Sequence, residues 1–262
     1  MPQASALLNV MIAAVRKTAR ALARDFGEVE NLQVSRKGPS DFVTSADLKA
    51  EKTLFEELSK ARPGYGFVME ERGVVEGTDK TNRWMIDPLD GTTNFLHGIP
   101  HFSISVGLER EGVLVAGVVY NVARDELFWA ERGAGAYLND RRLRVAARTD
   151  MREAVFATGM PFHGKPGHGV FLGEVERVIA KAAGVRRFGS AALDLAYVAS
   201  GRFDGYWERG LSPWDVAAGA VLVREAGGVV NEIDGGDFLK TGALVASNTA
   251  LIAPLTQTLH GG

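Results

Sequence analysis

Apolar residues recur along the chain with two periods, and the switch between them marks out the elements. Leu8, Met11, Ile12, Val15, Ala19 and Leu22 fall at helical spacing, with Arg16, Lys17, Arg20 and Arg24 on the rest of the wheel. This predicts a first helix facing the core, with a basic membrane-surface helix as the alternative. Val29 to Ser35 reads as a strand. Ser45 opens a helix over Ala46 to Ala61 whose Leu48, Leu54, Phe55 and Leu58 share a face, and Pro63-Gly64 closes it. Gly66 to Met69 and Arg83 to Ile86 read as short strands.

From Phe102 to Val145 the period becomes that of a meander. Ser103–Leu108, Val113–Asn121, Glu126–Ala130 and Ala136–Leu138 are β-rich runs divided by turn residues. The second half alternates. Strands are expected at Ala154–Thr158, Val185–Phe188, Phe203–Trp207, Gly228–Glu232 and Ala243–Ala246. Helices are expected near Gly169–Ala182, at Ala191–Ser200 and Trp214–Ala226, and near Thr249–Leu259. A meander followed by alternating β/α implies sheets layered with helices, an α/β or α+β unit with lobes at about 1–150 and 151–262 and a ligand cleft between them.

Composition narrows the function. The chain has 262 residues, 46% hydrophobic, 24% charged, net charge -2 and no cysteine. That much apolar material buries itself, so disorder is excluded, as are disulfides and thiolate zinc sites. The balanced charge argues against a dedicated nucleic-acid binder. The apolar run Ala6–Val15 lacks a cleavage site, and no stretch reaches the ~18 uninterrupted apolar residues of a membrane span. The reading is a cytoplasmic protein.

The candidate chemistry is carboxylate chemistry. In Trp84-Met85-Ile86-Asp87-Pro88-Leu89-Asp90-Gly91-Thr92-Thr93-Asn94-Phe95 a buried strand delivers Asp87, and Pro88 stops the strand there. Asp90 follows in a tight turn. Gly91, Thr92 and Thr93 lead into a short helical pattern whose free N–H groups suit a phosphate. Carboxylates beside an anion site require a cation between them, and hard oxygen ligands without thiolate select Mg²⁺ or Mn²⁺. Asp-Pro-x-Asp-Gly is also a turn signature in its own right. Glu70-Glu71 ends another buried strand with a second acidic pair. Ser212-Pro213-Trp214-Asp215 opens an apolar helix, where Asp215 completes something close to a capping box. Asp47, at the start of its helix, is explained by dipole compensation alone.

Other features carry bland readings. No P-loop, dinucleotide, nucleophile-elbow or zincin motif is present. His97 and His101 do not share a helical face. Arg141, Arg142, Arg144 and Arg148 read as a solvated hairpin edge, and Gly133, Gly135, Gly227 and Gly228 as turn and helix-stop glycines.

Trp84–Phe95 and Trp214–Gly228 resemble the two signatures of the inositol monophosphatase family. Arg187–Ala199 (Arg-Phe-Gly-Ser-Ala-Ala-Leu-Asp-Leu-Ala-Tyr-Val-Ala) and Asp41–Asp47 resemble its bacterial branch, and matching segments span nearly the whole chain. The resemblance implies the layered αβαβα sandwich of the Mg²⁺-dependent, lithium-sensitive phosphatases. It assigns Glu70, Asp87 and the Leu89 carbonyl to a first metal, and Asp87, Asp90 and Asp215 to a second. A third, weak site falls at Glu70 with water near Asp47. Glu70 and Thr92 would orient the attacking water, and Gly91 and Thr92 would cradle the phosphate. Gly189, Ser190, Ala191 and Glu208, with Asp90 and Asp215, would meet the substrate.

The implied reaction is hydrolysis of myo-inositol 1-phosphate by direct attack of metal-activated water, with two to three Mg²⁺ ions, in a homodimer. Fructose 1,6-bisphosphate, histidinol phosphate and 3′-phosphoadenosine 5′-phosphate are rival substrates. A partner role with the transcription machinery or RNA is the rival class of function. The chain departs from the resemblance at Met69, where glycine is frequent, and at Arg36-Lys37, where a single lysine is usual. Gly159–Gly169 is the segment the resemblance constrains least.

Overall fold

The computed structural model describes residues 4–28, 34–38 and 41–261, with 34–38 and 41–43 as backbone only. The first part runs α1 (Ala6–Gly27), β1 (Val34–Gly38), β2 (Asp41–Thr44), α2 (Ser45–Ala61), β3 (Tyr65–Met69), β4 (Gly73–Val75), β5 (Asp79–Asp90), α3 (Thr92–Leu96), β6 (Ser103–Arg110), β7 (Val113–Asn121), β8 (Glu126–Glu131), β9 (Gly135–Leu138) and β10 (Arg141–Arg142). The remainder is β11 (Val155–Thr158), α4 (His168–Ile179), β12 (Gly184–Arg186), α5 (Ala191–Ala199), β13 (Gly205–Glu208), α6 (Pro213–Glu225), β14 (Val229–Glu232), α7 (Phe238–Thr241), β15 (Leu244–Ser247) and α8 (Ile252–His260).

These elements stack as αβαβα. Strands β3 to β10 form an eight-stranded sheet ordered β10-β9-β8-β7-β6-β5-β3-β4, antiparallel except where β3 runs parallel to β5. The expected meander is thus real, since β5 to β10 are sequential neighbours. The second sheet, β12-β11-β13-β15-β14, is mixed. Helices α1 and α2 cover the outer face of the large sheet, α5 and α6 lie between the sheets, and α4 and α8 cover the far face of the small one. Each interface has its own apolar core. Because both faces of the large sheet are covered, its strands bury both sides. In β8, Leu127 and Trp129 face the outer helices while Phe128 and Ala130 face the central ones.

The inner face of the large sheet is kept low by small residues, and this places the site. A Cβ on Gly107 would meet the Ala217 methyl at 2.7 Å, and one on Gly117 would meet the Ala218 carbonyl oxygen at 2.5 Å. Ser105 donates its hydroxyl to the Trp214 carbonyl at 3.3 Å. The N-terminal end of α6 therefore lies close against β6, whose Ser105 and Ser103 stand opposite Asp87 and Asp90 in β5.

Several expectations are corrected. The first five residues of the strand read at Val29–Ser35 lie outside the described residues, and β1 continues past its expected end to Gly38. Strand β5 does not stop at Pro88: pairing with β6 shifts register between Asp87 and Asp90 and resumes. Leu48 is 54% exposed, because the buried face of α2 runs through Asp47, Ala50, Glu51, Leu54 and Leu58 instead. Phe188 leaves its expected strand, which ends at Arg186. Among the described residues no helix is long and apolar enough to cross a membrane.

Candidate active site

Glu70, Asp87, Asp90 and Asp215 are brought together from three directions. The parallel pairing of β3 with β5 sets Met69 beside Ile86, and the Glu70 N–H donates to the Ile86 carbonyl at 3.3 Å, so Glu70 leaves its strand next to Asp87. Asp87 is 3% exposed and accepts the Leu89 N–H at 2.9 Å. Burial first, then the charges of Glu70, Asp90 and Asp215, hold the Asp87 carboxyl well above the usual carboxylate range. Asp90 is pushed up to about 6 by burial. The opposing hydrogen bonds come from the Ser190 hydroxyl at 2.5 Å and the Ala192 N–H at 2.8 Å, both on Oδ2. Ser190 and Ala191 thus stand against Asp90, and the Ser190 hydroxyl is engaged by its carboxylate.

Asp215 does two things at once. One oxygen accepts the Ser212 N–H at 2.7 Å, which is the expected cap. Its carboxyl is also raised well above the ordinary range, by burial and then by the charges of Asp90, Glu70 and Glu208, against that same hydrogen bond. Capping and membership of the acidic cluster are therefore not alternatives.

Asp47, Thr92 and Leu89 form an adjoining corner. Asp47 accepts the Thr44 N–H at 2.8 Å and the Thr44 hydroxyl at 2.5 Å in a capping box, and burial raises its pKa. The Thr92 oxygen lies 3.1 Å from Asp47 Oδ1 and 3.0 Å from the Leu89 carbonyl oxygen, and its single proton serves one of them at a time. Gly91 precedes α3 at φ 95°, a conformation glycine adopts without strain, and the Gly189 carbonyl lies 3.3 Å from where a Cβ would stand. Asn94 ties this corner to the α5 side by donating to the carbonyls of His101 at 2.8 Å and Phe188 at 2.7 Å.

Glu208 faces the cluster from the end of β13. Burial raises its pKa to about 7, and Tyr206 donates its hydroxyl to it. A Cβ on Gly159 would sit 1.9 Å from the Glu208 carboxylate, so only glycine allows that carboxylate to lie against the chain.

The sequence reading missed Ser103, Glu51 and Asp194. Glu51 accepts the Glu71 N–H at 2.7 Å and anchors the turn that carries Glu70. Asp194 is buried in α5, its Oδ1 has no hydrogen-bond partner, and burial with the charges of Glu208 and Asp90 raises its pKa well above normal. One aspartate in the otherwise apolar run of α5 was the available signal. His97 is exposed and His101 half-buried against Phe188 and Tyr197, so they form no pair. Arg141 and Arg142 are exposed on edge strand β10, while Arg148 is paired with Asp204. Gly133 and Gly135 have more than a turn role, since their N–H groups donate to the Glu225 carboxylate.

Among the described residues, no three His, Asp or Glu side chains are gathered closely enough to hold an ion as they stand. The donor chemistry nevertheless fits a hard cation: it is all oxygen, and Glu70, Asp90 and Asp215 all raise the pKa of Asp87. A divalent ion would relieve that repulsion.

The inositol monophosphatase family model matches residues 3–260. An inositol-1-monophosphatase of Mesorhizobium japonicum is 63% identical over 97% of this chain and 96% of its own. The Nus factor SuhB of Escherichia coli K12 is 44% identical over 97% and 96%. The crystal structure of extragenic suppressor protein suhB from Bartonella henselae superposes with a TM-score of 0.95 at 56% identity, covering 98% of this chain and all of that one. The fold and these full-length relatives make the chain a phosphoric monoester hydrolase of the layered αβαβα type. The chain belongs to the inositol monophosphatase family.

Proposed function

We propose that the chain is a Mg²⁺-dependent, lithium-sensitive phosphomonoesterase whose preferred substrate is myo-inositol 1-phosphate, acting as a cytoplasmic homodimer. The observation that carries this reading is the convergence of Glu70, Asp87, Asp90 and Asp215 in one buried cluster beside Gly91 and Thr92. The side chains of these four acids and the Leu89 carbonyl are the groups that would hold the cations, with Mn²⁺ as a possible substitute. Bound there, divalent cations supply the charge that activates a water and stabilises the oxyanions of phosphoryl transfer.

The chain's own residues do the rest. Asp87 is the carboxylate on which the charges of Glu70, Asp90 and Asp215 all act. Asp90 is held in one orientation by Ser190 and Ala192. Thr92, between Asp47 and the Leu89 carbonyl, together with Glu70 orients the attacking water and accepts or passes its proton. The Gly91–Thr92 backbone cradles the phosphate. Glu208, Gly189 and Ala191 border the space for the leaving alcohol, where hydroxyl groups of a polyol find acceptors.

The test is kcat/KM for inositol 1-phosphate against fructose 1,6-bisphosphate, histidinol phosphate and 3′-phosphoadenosine 5′-phosphate. Highest efficiency on inositol 1-phosphate, inhibited by Li⁺, is expected. Higher efficiency on fructose 1,6-bisphosphate moves the assignment to that ester. A second reading, a binding role with the transcription machinery or RNA, is favoured by the similarity to the protein named Nus factor SuhB. A pull-down at rising salt tests it, and no retained partner at physiological ionic strength removes it.

A further inference from the structure

Glu208 has two sides. One faces Asp90 and Asp215. The other lines a cavity of about 430 Å³ between the chain leaving β11, the start of α4 and the end of β13. Met160, Pro161, Phe162, Phe171 and Trp207 make its walls largely apolar. Its charged groups are mostly occupied. Arg209 donates to Glu174 at 2.7 Å and to Asp234 at 3.0 Å, and the Lys165 ammonium stands 5.2 Å over the Phe162 ring. The cavity and the acidic cluster therefore have the Glu208 carboxylate in common, yet the chemistry of the cavity is the opposite of the cluster's.

A polyol pushed into this space would leave most of its hydroxyl groups facing apolar walls and short of hydrogen-bond partners. A ring fits it, because apolar and aromatic walls of this size bury a flat apolar group. Gly159 makes the junction possible. With any side chain there Glu208 would be displaced, and the cleft and the cavity would no longer share it.

We propose that this cavity is an annex of the leaving-group site that receives an aromatic ring on the substrate alcohol, making arylalkyl phosphomonoesters a substrate class of this chain. The proposal rests on the phosphomonoesterase reading and names substrates for the same site. The reaction is ordinary ester hydrolysis. The water oxygen bonds to phosphorus, the bond from phosphorus to the alcohol oxygen breaks with its electron pair on that oxygen, and a proton from the water completes the alcohol beside inorganic phosphate.

The test compares 2-phenylethyl phosphate with ethyl phosphate on the full chain with Mg²⁺. The ring-bearing ester is expected to have at least tenfold higher kcat/KM, carried mainly by KM. Phe171→Ala should cut that ratio by more than half, and Met160→Glu, at a residue 45% exposed and so tolerant of change, should do the same if the first variant does not fold. A second arm needs neither metal nor turnover: 2-phenylethanol is titrated into chelator-treated protein with the methionine methyl groups observed by NMR. The Met160 methyl signal, identified by its loss in Met160→Leu, is expected to shift. An ester ratio near one, a ratio that survives both wall substitutions, or an unmoved Met160 signal overturns the annex. Inositol 1-phosphate is run alongside: its turnover with neither alkyl ester cleaved overturns the annex, whereas no turnover of any of the three condemns the phosphatase reading instead, and the titration still decides the annex.

Discussion

At Asp87 a single carboxylate is buried against three others, a repulsion that either a proton or a divalent cation relieves. Asp87→Asn is therefore expected to leave the fold intact, lower turnover by at least about 100-fold, and abolish the Mg²⁺-induced rise in melting temperature. A melting rise equal to that of the wild type would count against the assignment. Asp215→Asn separates two roles held by one side chain. The amide oxygen still accepts the Ser212 N–H, so stability in urea should change by less than about 1 kcal/mol while turnover collapses. Full activity with the same small stability change would leave Asp215 as a cap only. His101 gives a pH prediction of definite sign. Burial lowers its folded pKa to about 4, below the ordinary 6.5, so the folded protein binds fewer protons in that window. Its contribution to stability is complete above 6.5 and is lost as pH falls towards 4. Urea midpoints at pH 7.5 and 5 should therefore differ less in His101→Gln than in the wild type. At this scale the sequence was most legible where residue type and position pointed the same way, as at Asp87, Asp90 and Gly91. It misled at Leu48, because Asp47 and Glu51 hold core-facing positions that a hydrophobicity pattern assigns to the surface.

Among the elements, α6 decides the geometry. Gly219 faces Leu195, whose Cβ would lie 2.5 Å from an added Cβ, and Gly107 and Gly117 leave room for Ala217 and Ala218 from the sheet side. On propensity alone Gly219→Ala would stabilise the helix by about 1 kcal/mol. The contact with α5 reverses the sign, and a net loss of about 1–3 kcal/mol in urea denaturation is expected. A neutral or stabilising result would mean that α5 and α6 are less tightly joined than these distances imply. The long elements were readable because their periods are strong: α1, α2, α6 and the four-stranded meander fall where the pattern put them, within a few residues. The short ones were not. Strand β4 and helix α7, of three and four residues, are too short for either period to register. The extension of β5 through Pro88 was hidden because a register shift, which no local pattern encodes, absorbs the proline.

Over the whole molecule, the five layers bring together residues far apart in sequence: Glu70 from just past the end of β3, Asp87 and Asp90 from β5, and Asp215 from the start of α6. The fold class was legible from the order of meander and alternation, and the family from the extended motifs. What no sequence pattern revealed was the closeness that small residues permit between β6 and α6, or the apolar cavity behind Glu208, since both depend on pairs distant along the chain. The central claim is that the acidic cluster hydrolyses phosphomonoesters only with a divalent cation in place. The most direct measurement is phosphate release from inositol 1-phosphate by chelator-treated protein, before and after Mg²⁺ is restored, with Asp87→Asn alongside. Turnover that is absent without Mg²⁺, returns with it in the wild type and does not return in the variant is the predicted result. Equal turnover with and without the cation, or a variant as active as the wild type, would contradict it.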